Sequence, residues 1–232
     1  MVSSISADLV SVTVTKDPMV FEPFQEIAGK SNIKRFMNNN AITDYKELIK
    51  RSTDNIEWYW DAINKDLEIE WFKPYTKVLD ISNGKPWAKW FVDGKCNIAY
   101  NCLDRHIITR NKEKLAYIWE GENGAKRRLT YYDLYIMVNK LANAFKTLGI
   151  SKGDVVGIYM PMVPEAIVSM LACSKIGAIH SVVFSGFSAP ALATRLNDSG
   201  AKLLITADGY YRRGKLIDLK KEADNALKSD SK

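Results

Sequence analysis

Cysteine is scarce in this chain of 232 residues: Cys96, Cys102 and Cys173 are the only three, and no two form a CxxC pair. An odd, unpaired set argues against a disulfide framework and leaves reduced, buried thiols as the expectation. No apolar run approaches the roughly 20 residues that cross a bilayer. The first basic residue is Lys16. The opening MVSSISADLVSVTV therefore lacks the charge of a secretory signal and the arginines of a transit peptide, and a cytoplasmic location is expected. The absence of GxGxxG leaves a nicotinamide or flavin site unsupported. A flexible Gly/Ser/Thr-rich run with a lysine, of the kind whose backbone N–H groups cradle nucleotide phosphates, is also missing. Internal repeats and low-complexity tracts are absent as well.

What remains is a globular composition, 47% hydrophobic and 26% charged. A chain of this length buries on the order of 70% of its unfolded surface, in one large domain or two small ones. The net charge is +6, from 33 basic against 27 acidic residues. Most bases alternate with acids, as in KEKLAYIWEGENGAKRR; only 126–128 and 212–215 cluster. Without a basic stripe on a recognition motif, solvated lysines explain the excess better than nucleic acid does. Cys102, Asp104 and His106 alternate as potential metal ligands. A fourth ligand is usually needed, only His180 is left to supply it, and no metal site is expected.

The clearest periodicity begins at Thr130. Leu134, Met137, Val138, Leu141, Phe145 and Leu148 mark one face of a helix. Thr130 is placed to cap it, Asp133 sits where a capping-box carboxylate belongs, and Gly149 supplies the positive φ that ends it. Three apolar runs follow, at 155–160, 179–184 and 203–206. Helical segments at 164–176 and 188–199 separate them, each ending at a glycine, Gly177 or Gly200. Strand, helix, strand, helix, strand with non-alternating apolar strands predicts an α/β fold: a parallel sheet covered by helices on both faces.

Upstream, residues 1–40 carry weak periodicity and read as a partly extended or flexible lead. A short helix is expected from Asp44 and another from about Asp54, bearing Ile56, Trp58, Trp60 and Ile63. Four of the six tryptophans fall between Trp58 and Trp87, and Trp90 follows. So dense a set of large amphipathic rings suits a peripheral cap. A helix near 101–111 and a hairpin from 116–120 to 126–129 across GENGA complete the outline.

Two places could hold an anion. The turn FSGFS, 184–188, ends in Ser188 as the N-cap of the next helix, where free N–H groups and the helix dipole favour negative charge. By itself this turn reads more readily as an ordinary capped helix behind a tight turn. Arg212 and Lys215 in ADGYYRRGK lie just past the carboxyl end of the third strand, where ligands collect in open α/β sheets. Arginine offers phosphate a planar fork and lysine a point charge.

GISKGDVVGIYMPMVPEAIVSMLACSKIGAIHSVVFSGFS, 149–188, resembles the AMP-forming adenylating enzymes. NIAYNCLDRH (97–106), HSVVFSGFS (180–188), TADGYYRRGK (206–215) and WFKPYTKVLD (71–80) are similar to the acetyl-CoA synthetase branch, including propionate- and hydroxypropionate-activating relatives. The resemblance runs collinearly from about Tyr45 to Leu227. It implies residues 1–96 as the N-terminal extension of that branch and 97–232 as the first, incomplete α/β portion of the AMP-binding domain. It implies that Arg212 and Lys215 contact coenzyme A phosphates and that Phe184, Ser185, Gly186 and Phe187 line the same nucleotide. Lys215 stands where a second arginine is frequent, Ser185 where glycine is, and Arg213 is extra to the pattern. ATP with Mg2+, the acyl pocket and the acylating lysine belong to the complete enzyme, so these residues alone are expected to catalyse nothing. Two charge-assisted contacts contribute about 3–6 kcal/mol against an association cost of roughly 4–15 kcal/mol, so coenzyme A should bind this chain weakly.

Two readings follow. In one, the chain is part of a short-chain carboxylate–CoA ligase, as a portion of a longer polypeptide or as the first subunit of a split ligase with a partner chain. In the other, it is a stand-alone nucleotide-binding or interaction module that associates through an exposed sheet edge. Neither involves nucleic acid or a membrane.

Overall fold

The computed structural model describes residues 24–228, which divide after Glu68 into two compact units. The start of the expected flexible lead, residues 1–23, lies outside the described residues.

The first unit contains four helices among the described residues: α1 (Gln25–Gly29), α2 (Asn32–Asn39), α3 (Tyr45–Asp54) and α4 (Ile56–Asp66). Each of the last three is capped by the residue before it. The side chains of Ser31, Asp44 and Asn55 accept from the amides of Lys34, Glu47 and Trp58 at 3.1, 2.9 and 2.9 Å. Phe36, Met37, Ile42, Leu48 and Ala62 are buried together, with Trp58, Tyr59 and Ile63 packed on them. The expectation of an extended or flexible lead therefore fails over 25–39. A short helix needs few apolar positions, here Phe36 and Met37, to dock, and so shows little periodicity.

The second unit begins with an antiparallel pair, β1 (Lys77–Asp80) and β2 (Lys89–Val92). Trp71, Tyr75 and Phe91 stack beside it at ring separations of 5.1 and 5.3 Å. Trp87, by contrast, is 72% exposed. The helix expected at 101–111 is broken. A π-helical turn, Tyr100–Asp104, leads into α5 (Arg105–Ile107), and a separate 3-10 turn covers Arg110–Glu113. Side-chain bonds explain the break: Asn97 donates to the Ser174 and Lys175 carbonyls, while Asn101 accepts from the Glu70 amide and donates to its carbonyl. Asp104 holds Lys175 at 2.6 Å.

Then come β3 (Leu115–Glu120), β4 (Lys126–Thr130), α6 (Tyr131–Thr147), β5 (Val155–Met160), α7 (Pro164–Ile176), β6 (Ile179–Phe184), α8 (Ala189–Ser199), β7 (Ala201–Thr206), β8 (Gly209–Arg212), β9 (Lys215–Asp218) and α9 (Leu219–Lys228). Thr130 and Asp133 form the full capping box. Gly149, Gly177 and Gly200 all take positive φ. β6, β5 and β7 form a parallel sheet in that order, with β5 central. Val156 and Ile158 of β5 face a core built from Val138, Phe145, Val168 and Ala172 of α6 and α7. Tyr159 points the other way, into a core with Leu192 and Leu196 of α8 and Leu219 and Ala223 of α9. Helices thus cover both faces, as the pattern predicts. Gly157 permits this packing: a Cβ there would lie 2.5 Å from Leu196 Cδ2.

Two expectations need correction. The β6 run is not buried throughout, since it forms a sheet edge with Ile179, Val182 and Phe184 more than half exposed. Of the three thiols only Cys173 is buried, and burial pushes it up to about 11; Cys96 and Cys102 are exposed. No helix among the described residues is long and apolar enough to cross a membrane.

Candidate functional site

In the sheet order β6-β5-β7, the connection after β5 enters α7 on one face and the connection after β6 enters α8 on the other. Adjacent strands whose connections depart to opposite faces open a crevice at their carboxyl ends, the usual ligand position in such folds. A cleft of about 410 Å³ lies there, lined by residues 161–163 after β5, by Phe184 and Ser185 at the end of β6, and by β8. The tip of the β3–β4 hairpin forms its remaining wall. That tip is tied on three sides. Trp119 Nε1–H donates to the Met162 carbonyl, the Gly214 amide donates to Glu122 Oε1, and Arg127 pairs with Glu165, each at 2.6 Å.

β8 and β9 form a hairpin, although no strand is expected after the run at 203–206. Its two turn residues, Arg213 and Gly214, have φ of +52° and +73°. Positive φ at both central positions is the turn geometry that matches strand twist, although Asn-Gly is its usual sequence. This gives Arg213 a place in the fold. The hairpin register sets Arg212 directly opposite Lys215. Residues so paired project from the same face, and like charges there repel. No ion pair within 4.0 Å relieves either one among the described residues.

Arg212 turns toward the 184–188 turn. Its guanidinium carbon lies 5.6 Å from the Phe184 ring centroid, within cation–π range. Its Nη1 lies 3.0 Å from where a Gly186 Cβ would stand. The structure thus brings Arg212, Phe184, Ser185 and Gly186 together. Lys215 reaches the group only as the cross-strand neighbour of Arg212. A second cleft of about 300 Å³ borders the far side of the turn and shares Ser185, Tyr210 and Arg212 with the first.

The α8 N-terminus differs from expectation. Ser188 occupies the N-cap position but its side chain caps nothing. The carboxylate of Glu222, on α9, accepts from the Ala189 amide at 3.2 Å. A protein carboxylate therefore already occupies the helix end that the sequence analysis offers to an anion. Sequence pattern could not find this contact, because the partners stand 33 positions apart. Tyr159 is the other residue missed. It is fully buried, and its hydroxyl lies 2.7 Å from the Phe187 carbonyl and 3.2 Å from that of Ser185.

Comparison with known proteins bears on this geometry. Residues 104–232 match the family described as AMP-binding enzyme, and residues 45–102 match the acetyl-coenzyme A synthetase N-terminus family. Acetyl-coenzyme A synthetase of Methanothrix thermoacetophila is 44% identical over 94% of this chain and 33% of its own length. For 3-hydroxypropionyl-coenzyme A synthetase of Sulfurisphaera tokodaii the figures are 47%, 89% and 31%. Among solved structures, acetoacetyl-CoA synthetase from Streptomyces lividans superposes with a TM-score of 0.82 at 26% identity, covering 89% of this chain and 33% of that one. The chain spans about a third of the length of these relatives.

Proposed function

The chain belongs to the AMP-binding enzyme family, and from that premise we propose that it is the N-terminal part of an AMP-forming ligase joining acetate or another short-chain carboxylate to coenzyme A. In the complete reaction a carboxylate oxygen attacks the α-phosphorus of ATP, releasing pyrophosphate and forming an acyl-adenylate. The coenzyme A thiolate then displaces AMP and leaves acyl-CoA. On this reading residues 1–96 are the extension and 97–232 the opening portion of the AMP-binding domain; the two family matches meet a few residues later, between 102 and 104. A cytoplasmic location belongs to the same proposal. ATP and its Mg2+ are assigned to the rest of a complete enzyme.

These residues contribute the coenzyme A nucleotide site. The observation that carries this is the like-charged pair Arg212 and Lys215, opposite each other beside the switch-point cleft that Arg212 lines, with no ion pair within 4.0 Å among the described residues. A phosphate between them converts repulsion into two charge-assisted contacts. The Phe184 ring and the Arg212 guanidinium pack over Gly186, and on this reading the attached nucleoside lies against them. In a complete enzyme, Arg212→Ala should raise KM for coenzyme A about tenfold or more. It should leave ATP–pyrophosphate exchange intact, because adenylation precedes the thiol. Unchanged coenzyme A dependence would overturn the assignment.

The exposed apolar edge of β6 favours a second reading, an interaction module that pairs through that strand. Sedimentation separates the two: self-association abolished by a charge at Val182 supports the module, and a monomer at all concentrations removes it.

A further inference from the structure

We propose that Tyr159 is a positioning residue for the nucleotide cleft: by holding the Ser185 and Phe187 carbonyls inward, it aims the Gly186 and Ser188 backbone N–H groups outward as a pair of anion donors beside Arg212. The inference rests on the reading above in naming that anion a phosphate.

The geometry follows from the planarity of the peptide bond. In a trans peptide the C=O of one residue and the N–H of the next point in opposite directions, and no peptide among the described residues is cis. Tyr159 has no exposed surface, so its hydroxyl lies beneath the turn. The Phe187 carbonyl at 2.7 Å and the Ser185 carbonyl at 3.2 Å both face it. The Tyr210 hydroxyl adds a third contact, 3.4 Å from the Ser185 carbonyl. The following amides, those of Ser188 and Gly186, therefore face away from the core. Both residues are exposed. Of the turn's other amides, Phe187 N–H is spent on the Phe184 carbonyl and Ala189 N–H on Glu222. Neither outward amide has a protein acceptor among the described residues, so both are open to a ligand, and the Arg212 guanidinium lies against Gly186. Burial, with Glu222 and Tyr210 nearby, raises the Tyr159 pKa above its ordinary 10.0, so the hydroxyl stays a donor at any working pH.

The test is an amide-resolved titration of the 232-residue chain with adenosine 3′,5′-bisphosphate and, separately, inorganic pyrophosphate. The expected result is that both probes move the Gly186 and Ser188 amide resonances. In Tyr159→Phe the same amides should respond less, and the bisphosphate should bind about 3- to 10-fold more weakly, the effect of one misdirected hydrogen bond. A merely structural role would lower the unfolding temperature of Tyr159→Phe and leave those amide responses as they are. If Tyr159→Phe fails to fold, the wild-type titration still decides: amides of Gly186 and Ser188 unmoved by about 10 mM of either probe overturn the inference. If pyrophosphate moves them and the bisphosphate binds elsewhere, the inference stands and the coenzyme A reading fails. If the bisphosphate binds at Arg212 with both amides silent, the reading stands and the inference fails.

Discussion

Gly186→Ala should separate binding from stability. The added methyl would sit 2.6 Å from Phe184 Cε1, 3.1 Å from its Cδ1 and 3.0 Å from Arg212 Nη1. Carbon contacts relax at about 3.5–4.0 Å, so the ring and the guanidinium must each retreat by roughly 1 Å. Both can do so, since Phe184 is 56% exposed and the atoms met belong to side chains rather than backbone. Gly186 does not have a positive φ, so alanine meets no backbone strain there. Overpacking therefore falls at or below the low end of about 1–3 kcal/mol. Reduced freedom of the unfolded chain returns about 0.4–1 kcal/mol. The net change is within about 1 kcal/mol, or roughly 2–4 °C in Tm for a chain of this size. Displacing Arg212 should instead weaken coenzyme A binding about tenfold or more, the worth of one charge-assisted contact. Thermal unfolding and a coenzyme A titration on the same preparation read both numbers. Gly157→Ala is the control, because its methyl meets Leu196 at 2.5 Å inside the core and should cost stability. A Gly186→Ala variant that loses far more than 4 °C, or binds coenzyme A as before, refutes the reasoning.

Two further outcomes are expected. The Lys202 ammonium, then the Ser151 amide and hydroxyl, hold the Asp154 carboxyl down to about 2 from its ordinary 3.8. A depressed folded-state pKa stabilises fully above the unfolded value and is lost as pH falls from about 4 toward 2. Asp154→Asn should therefore flatten that limb of the acid-unfolding curve, and an unchanged limb contradicts the pairing. Arg213→Asn should raise stability by about 1 kcal/mol, since asparagine tolerates the left-handed region better than arginine; urea unfolding that shows a loss would count against the turn assignment.

The α/β unit was legible where its signals were local. Thr130 with Asp133, and the glycines after α6, α7 and α8, each state a helix end within a few residues. The runs at 155–160 and 179–184 match β5 and β6 residue for residue. What stayed hidden depended on distance or on unusual residue choice. The β8–β9 turn places arginine where asparagine is expected, so the hairpin went unrecognised. The burial of β6 depends on its place at the sheet edge, which its own apolar run cannot reveal. In NIAYNCLDRH, Asn97 and Asn101 bond to backbone far along the chain and break the helix that their spacing suggests. At the site, the residue types at Arg212, Lys215 and 184–186 were readable through the resemblance. That Arg212 packs on Phe184, that Glu222 fills the α8 end and that Tyr159 anchors the turn all required the fold.

The central claim is that the pair Arg212 and Lys215 receives a coenzyme A phosphate at the switch-point cleft. The most direct test is a crystal structure of the chain soaked in coenzyme A. The account predicts phosphate oxygens at about 2.7–2.9 Å from the Arg212 guanidinium and the Lys215 ammonium, with the adenosine against residues 184–186. Coenzyme A ordered elsewhere, with Arg212 and Lys215 left facing solvent, would contradict it.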